Sequence, residues 1–145
     1  MVQPDILAEF SRTFEPFGFD PKAFVPSYGM AEATLAFSFS PLGQGVEEDA
    51  VLRQSLIEDG KAALATKDDF ASDEGNKIRV FAKCGKAMPG YEVVIRDDQG
   101  KILPDREVGN IFIKAPSLMT CYDRNQEATQ VVMTVVGWLD TGALG

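Results

Sequence analysis

The sequence predicts an α+β fold that is β-rich over its second half, built of short strands or a distorted barrel with a few helices. Three observations predict it. Ile6, Leu7, Phe10, Phe14 and Phe17 fall at helical spacing on one face. From Ile78 the apolar period changes to two, at Ile78, Val80 and Ala82, and runs such as Val93-Val94-Ile95 and Ile111-Phe112-Ile113 follow. Between these regions, residues 24–39 read as strand, tight glycine turn with a short helical segment, and strand.

Taken in order, Pro4 and Asp5 open the first helix, with proline in a position that needs no N–H donor and an acid at the positive end of the dipole. Gly18 closes it as a C′ residue, and its bulky face is expected to pack on a core. Phe24-Val25 leads into the glycine turn, and Leu35, Phe37 and Phe39 alternate after it. From Pro41 to Lys77 apolar content falls and acids gather. Val51-Leu52 reads as a short strand, and Arg53 to Asp59 as two turns of helix stopped by Gly60. Thr66 to Asn76 reads as a loop. A weakly patterned connection of this length is either functional and mobile or a solvated excursion.

Beyond Ile78, Asp97-Asp98-Gln99-Gly100 is a turn returning to Ile102-Leu103. The spacing suggests an antiparallel sheet or small barrel. Asn125 caps a helix with Val131 and Val132 inward. Trp138-Leu139 begins a last strand, with Thr141-Gly142 turning at its end.

Composition excludes several classes of function. The 145 residues are 45% hydrophobic and 25% charged, a balance neither disordered nor membranous. No apolar run approaches the ~20 residues that span a bilayer, and the N-terminus has neither the basic start nor the apolar stretch of a secretory signal. A net charge of −8 opposes nucleic-acid binding. The absence of histidine removes Ser-His-Asp and Cys-His catalysis and His-based metal sites. Cys84 and Cys121 form no Cys-x-x-Cys pair and are expected to be buried free thiols in a reducing cytosol.

The chemistry is concentrated in Pro26-Ser27-Tyr28-Gly29-Met30-Ala31-Glu32-Ala33-Thr34-Leu35. A glycine turn at a strand end lets the backbone approach a ligand. Tyr28 offers a flat face for a planar base and a hydroxyl. Glu32 is a hard oxygen ligand suited to Mg²⁺ beside phosphates. The same residues would also serve as a buried tyrosine and a helix-starting glutamate.

This segment resembles the adenylate-binding motif of the AMP-forming acyl ligases: acyl-CoA synthetases, luciferases and peptide-synthetase adenylation domains. Their common form is Tyr-Gly-x-Thr-Glu. Here Ala31 takes the Thr position, and Tyr-Gly-x-Ala-Glu-Ala-Thr is similar to the form of the fatty acyl-AMP ligases. Three further segments resemble the family in the right order. They are Cys84–Val93, as its Gly-x-x-x-Pro-Gly strand entry; Glu107–Ile111, as its Gly-Glu-Ile strand; and Gly137–Gly145, as its Gly-Trp-x-x-Thr-Gly-Asp-Leu-Gly segment.

The resemblance implies an adenylate-forming enzyme's N-terminal domain, with 1–45 as the end of its α/β subdomain, 46–77 as an acidic insertion-like segment and 78–145 as a β-rich subdomain. In fatty acyl-AMP ligases an insertion in this region is associated with hindering the domain rotation needed for thioester formation with CoA. The implied reaction is attack by a fatty carboxylate on the α-phosphate of ATP, with loss of pyrophosphate and transfer of the acyl group to an acyl carrier protein or polyketide synthase. ATP and Mg²⁺ are the implied cofactors, and the cytoplasm the implied location. Tyr28 would stack on adenine; Ser27, Gly29 and Met30 would line the adenine or acyl side; Glu32, the catalytic residue, would hold Mg²⁺. Ala143 stands where the family's ribose-binding Asp is expected. The family's phosphate loop and its Lys-bearing C-terminal domain are not among these residues, so the chain is expected to be an incomplete piece, inactive alone. A fragment of a fatty acyl-CoA synthetase, or a non-catalytic remnant serving as an interaction module, are the alternatives.

Overall fold

The computed structural model describes residues 2–73, 75–134 and 136–145; Glu74, in the 66–76 stretch, lies outside them. Helix α1 (Pro4–Phe14) carries proline in its first turn, as expected. The predicted helix does not stay α to Phe17. It tightens into a 3₁₀ turn over Glu15–Phe17, because Pro16 cannot donate the next i→i−4 bond. Gly18 ends it at φ +93°. The apolar face packs less than expected. Phe10 meets Phe14, Phe19 and Phe24 at centroid distances of 4.5, 5.1 and 5.8 Å, but Ile6, Phe10, Phe14 and Phe17 all remain exposed.

The motif region forms β1 (Ser27–Tyr28), a 3₁₀ turn (Ala31–Ala33) and β2 (Ser38–Phe39). These strands are shorter than the 24–39 pattern suggested. Thr34, at φ +74°, breaks the alternation, so Phe37 is buried while Leu35 and Phe39 are exposed. β2 pairs antiparallel with β1 and with β5 (Lys86–Ala87), giving the order β1-β2-β5.

β3 (Glu48–Leu52) pairs along its whole length with β4 (Ile78–Ala82) and buries Val51 to 1% exposure. Helix α2 (Arg53–Glu58) is followed by Gly60 at φ +62°. Thr66–Asn76 is not simply a loop, since it contains helix α3 (Lys67–Ala71). The physical cause is a capping box. The Thr66 hydroxyl accepts from the Asp69 N–H, and the Asp69 carboxylate accepts from the Thr66 N–H. Aspartate at a position usually filled by Glu or Gln disguised the signal. Residues 46–77 are also tied to the 104–109 turn. Arg106 reaches Asp49 through two nitrogens, at 2.7 and 3.3 Å, and donates from Nε to the Ala62 carbonyl at 2.8 Å.

The third sheet is β6 (Glu92–Arg96), β7 (Asn110–Lys114) and β8 (Leu139–Leu144), in that order and antiparallel. The 97–100 turn forms as expected, with the Gly100 N–H donating to the Asp97 carbonyl at 2.9 Å. Asn125 caps α4 (Gln126–Val132) by accepting from the Ala128 N–H. Two expectations fail here. Val131 faces outward, 78% exposed, and only Val132 packs inward. Thr141-Gly142 lies inside β8 instead of ending it. Gly142, at φ +65°, accommodates a register shift opposite Asn110 and Phe112. The cysteines are free but not both buried, since Cys84 is half-buried and Cys121 exposed.

The core that positions the site is small. Ala33, Phe37, Ile113 and Leu139 are buried together, with Tyr28, Met30, Tyr91, Leu118 and Met119 packed against them. The β1-β2 turn thus sits on the end of the β6-β7-β8 sheet. The accessible surface is 10041 Å², against about 7,300 Å² expected of a compact monomer of this mass.

Candidate adenylate-binding site

The glycine of the motif is required by packing. A Cβ at Gly29 would overlap the Leu35 carbonyl oxygen and lie 2.5 Å from Ala36 Cα. The chain therefore folds back on itself between 29 and 36, closed by the Phe37 N–H donating to the Tyr28 carbonyl at 2.9 Å. Tyr28 is half-buried and meets the Phe37 ring edge-on, centroids 4.9 Å apart at 76°. Ser27 is exposed on β1, and Met30 packs on the core.

Glu32 lies in the 3₁₀ turn, which residues 115–122 clamp. The Met119 N–H donates to the Glu32 carbonyl at 2.7 Å, and Ser117 Oγ to the Ala33 carbonyl at 2.9 Å. Thr34 Oγ1 donates to the Ser117 carbonyl at 3.1 Å, and Tyr91 Oη to Ser117 Oγ at 2.8 Å. These bonds hold Thr34 at φ +74°, a left-handed conformation that a β-branched residue adopts only under restraint. Finally, Tyr122 Oη donates to Glu32 Oε1 at 2.7 Å. That bond holds the Glu32 carboxyl below the ordinary glutamate range and raises the Tyr122 phenol. Glutamate is ordinarily an anion at neutral pH, and the Tyr122 bond favours that charged form further.

The chemistry of this donor set fits a magnesium–nucleotide. Mg²⁺ takes one or two protein carboxylates and completes its shell with phosphates and water. No cluster of three or more metal-ligating side chains exists among the described residues, so a metal here would depend on the nucleotide for its other ligands.

The structure brings Tyr28, Met30 and Glu32 together around Ala33 and Phe37. Ala143 lies on β8, four residues beyond the core residue Leu139. Its N–H donates to Thr141 Oγ1 at 3.1 Å. Asp140 is engaged locally, with Oδ1 accepting from the Gly142 N–H at 2.9 Å. Sequence reasoning missed Tyr122, Ser117 and Tyr91. A hydroxyl that acts 90 residues away leaves no periodic or spacing signal.

Comparison with known proteins shows the family. The family model described as AMP-binding enzyme matches residues 1–123. A Caulobacter vibrioides protein named an acyl-CoA synthetase is 45% identical over 145 residues, all of this chain and 24% of that protein. The medium-chain-fatty-acid–[acyl-carrier-protein] ligase JamA of Moorena producens is 30% identical over 131 residues, 89% of this chain and 21% of its own length. A solved structure from work on fatty acyl-adenylate ligases of E. coli and L. pneumophila superposes with a TM-score of 0.87 at 38% identity, over 99% of this chain and 25% of that one. The chain spans about a quarter of the length of the curated relatives it matches. The motif turn, its ionised glutamate and a family match over residues 1–123 lead to one conclusion: this chain belongs to the AMP-binding enzymes.

Proposed function

We propose that this chain is the adenine- and metal-binding part of a fatty acyl-AMP ligase, which activates a fatty acid with ATP and passes it to an acyl carrier protein or polyketide synthase. The observation that carries the reading is the clamped Tyr28–Glu32 turn, with its carboxylate bonded by Tyr122. Tyr28 would stack on adenine, with Ser27, Gly29 and Met30 lining the adenine or acyl side. Glu32 would hold Mg²⁺, whose charge neutralises the phosphates. The exposed faces of α1 and α4 and the large surface area are what further parts of an adenylating enzyme would cover.

Two features favour acyl-AMP over acyl-CoA as the product. One is the likeness to a fatty acyl-adenylate ligase structure. The other is the 46–77 segment, which we propose as the insertion that hinders thioester formation; the Arg106 contacts give it a fixed seat.

Ala143 is proposed as the ribose position that has lost its carboxylate. Two weakened hydrogen bonds to ribose cost roughly 2–4 kcal/mol. The contact lies away from the reacting phosphorus, so the loss falls on KM for ATP more than on kcat. The protein expressed from its complete coding sequence should catalyse fatty-acid-dependent ATP–pyrophosphate exchange and acylate a carrier protein, with little acyl-CoA formed. Ala143→Asp should lower KM for ATP, and Asp140→Ala should change it little. Acyl-CoA as the main product would overturn the acyl-AMP reading. Steep dependence on Asp140 with none on Ala143 would move the ribose site to Asp140. The 145 residues alone, which include no Gly-rich phosphate loop, should show no exchange.

A further inference from the structure

We propose that Tyr122 is a positioning residue for Glu32: its hydroxyl occupies Oε1 and leaves Oε2 as the oxygen that would meet a metal. This rests on the assignment of Glu32 as the Mg²⁺ ligand. Tyr122 Oη donates to the Glu32 carboxylate at 2.7 Å, a side-chain bond made from 90 residues away. A carboxylate on a short 3₁₀ turn has free χ angles unless something outside the turn fixes them. The main chain of Glu32 is fixed by Met119, through its carbonyl, and its carboxylate is held from outside the turn by Tyr122.

Tyr122 is itself held from behind. Its N–H donates to Thr129 Oγ1 at 2.9 Å, and Thr129 Oγ1 donates to the Asn125 carbonyl at 2.9 Å. The Asn125 N–H returns to the Tyr122 carbonyl at 3.3 Å. The tyrosine is thus locked to the first turn of α4, and α4 sets the direction of a carboxylate 90 residues earlier in the chain. A carboxylate with one oxygen already bonded would offer Mg²⁺ its other oxygen in a fixed orientation, as outer-shell hydrogen bonds do for metal ligands generally.

The test uses the protein from its complete coding sequence, with ATP at fixed concentration and Mg²⁺ titrated from EDTA. Two readouts are taken: the Mg²⁺ concentration giving half of the ATP-induced rise in melting temperature, and kcat and KM for MgATP in pyrophosphate exchange. Tyr122→Phe keeps the ring and removes the hydroxyl. It should raise the half-saturating Mg²⁺ about 3- to 10-fold, a range reduced by water entering the gap. KM for MgATP should rise more than kcat falls. Glu32→Gln should shift it further, and adding Tyr122→Phe to Glu32→Gln should add nothing. Should Tyr122→Phe lower the melting temperature without ATP, Thr129→Val, which leaves the Tyr122 hydroxyl in place but frees the Tyr122 backbone N–H, must shift Mg²⁺ in the same direction. A normal Mg²⁺ requirement in Tyr122→Phe beside a shifted one in Glu32→Gln overturns the positioning role alone. So do additive effects in the double variant, or an unshifted Thr129→Val where that variant is needed. An unshifted Glu32→Gln overturns the metal assignment and the positioning role together.

Discussion

Gly29→Ala should unfasten the adenine turn. Ordinary contact begins near 3.4 Å, and the new Cβ would stand 2.5 Å from Ala36 Cα with the Leu35 carbonyl oxygen closer still. Both obstacles are backbone, so no side chain can swing away. Relief requires about 1 Å of separation between residues 29 and 36. That stretches the Phe37 N–H to Tyr28 carbonyl bond from 2.9 Å past hydrogen-bonding range. One lost hydrogen bond costs about 0.5–1.5 kcal/mol, and forced overpacking about 1–3 kcal/mol. The total of about 1.5–4.5 kcal/mol corresponds to a roughly 12- to 1,600-fold loss of amide protection at Phe37. Hydrogen exchange read by NMR or mass spectrometry measures it directly. Gly43→Ala is the control. Unlike Gly29 it sits at positive φ, +76°, and nothing lies within 4 Å of its added Cβ. It should cost only the ~1 kcal/mol of a left-handed alanine. If Gly29→Ala leaves Phe37 protected to within threefold of the parent, or perturbs it no more than Gly43→Ala does, the steric argument is wrong.

Acidification should release α3 and the loop after it. The Thr66 hydroxyl holds the Asp69 carboxyl down, and backbone N–H groups led by Lys77 do the same for Asp73. Depressed carboxyl values mean that the stabilisation is complete above the ordinary Asp range and disappears as pH falls through the depressed values. Amide shifts of Asp69 and Lys77 followed from pH 6 to about pH 2 should move with those carboxyls; unchanged shifts would refute the link. Arg106→Ala should loosen the seat of the 46–77 segment by about 1 kcal/mol, since the Asp49 pair is partly exposed. Arg106→Lys should not restore it, because lysine lacks the planar fork that spans Asp49 and the Ala62 carbonyl. Exchange at the Ala62 amide, which donates to the Arg106 carbonyl at 2.8 Å, reports the change; full rescue by lysine would argue against the fork.

The sequence by itself determined what depends on neighbours along the chain. Proline opened α1, Gly18 closed the 3₁₀ turn that follows it, Asn125 placed α4, the Asp97–Gly100 turn set the β6 return, period two marked β4, and apolar runs marked β6 and β7. The order Tyr28-Gly29-x-x-Glu32 and three later motifs were enough to indicate the family, which the match over 1–123 then showed. The Thr66–Asp69 box was legible too, but aspartate at its third position concealed it. What only the tertiary structure decided depends on which surfaces meet. The α1 stripe had the right spacing for a core face, yet spacing says which residues share a face and not whether anything covers it; here Phe10 found Phe19 and Phe24 while Ile6 and Phe17 found nothing. Gly142 sits inside β8 because the register against β7 shifts there, a property of two strands together. Tyr122 reaches Glu32 because the β6-β7-β8 sheet and α4 bring residue 122 over a turn 90 residues earlier, and hydrogen bonds act over 3 Å of space whatever the distance along the chain.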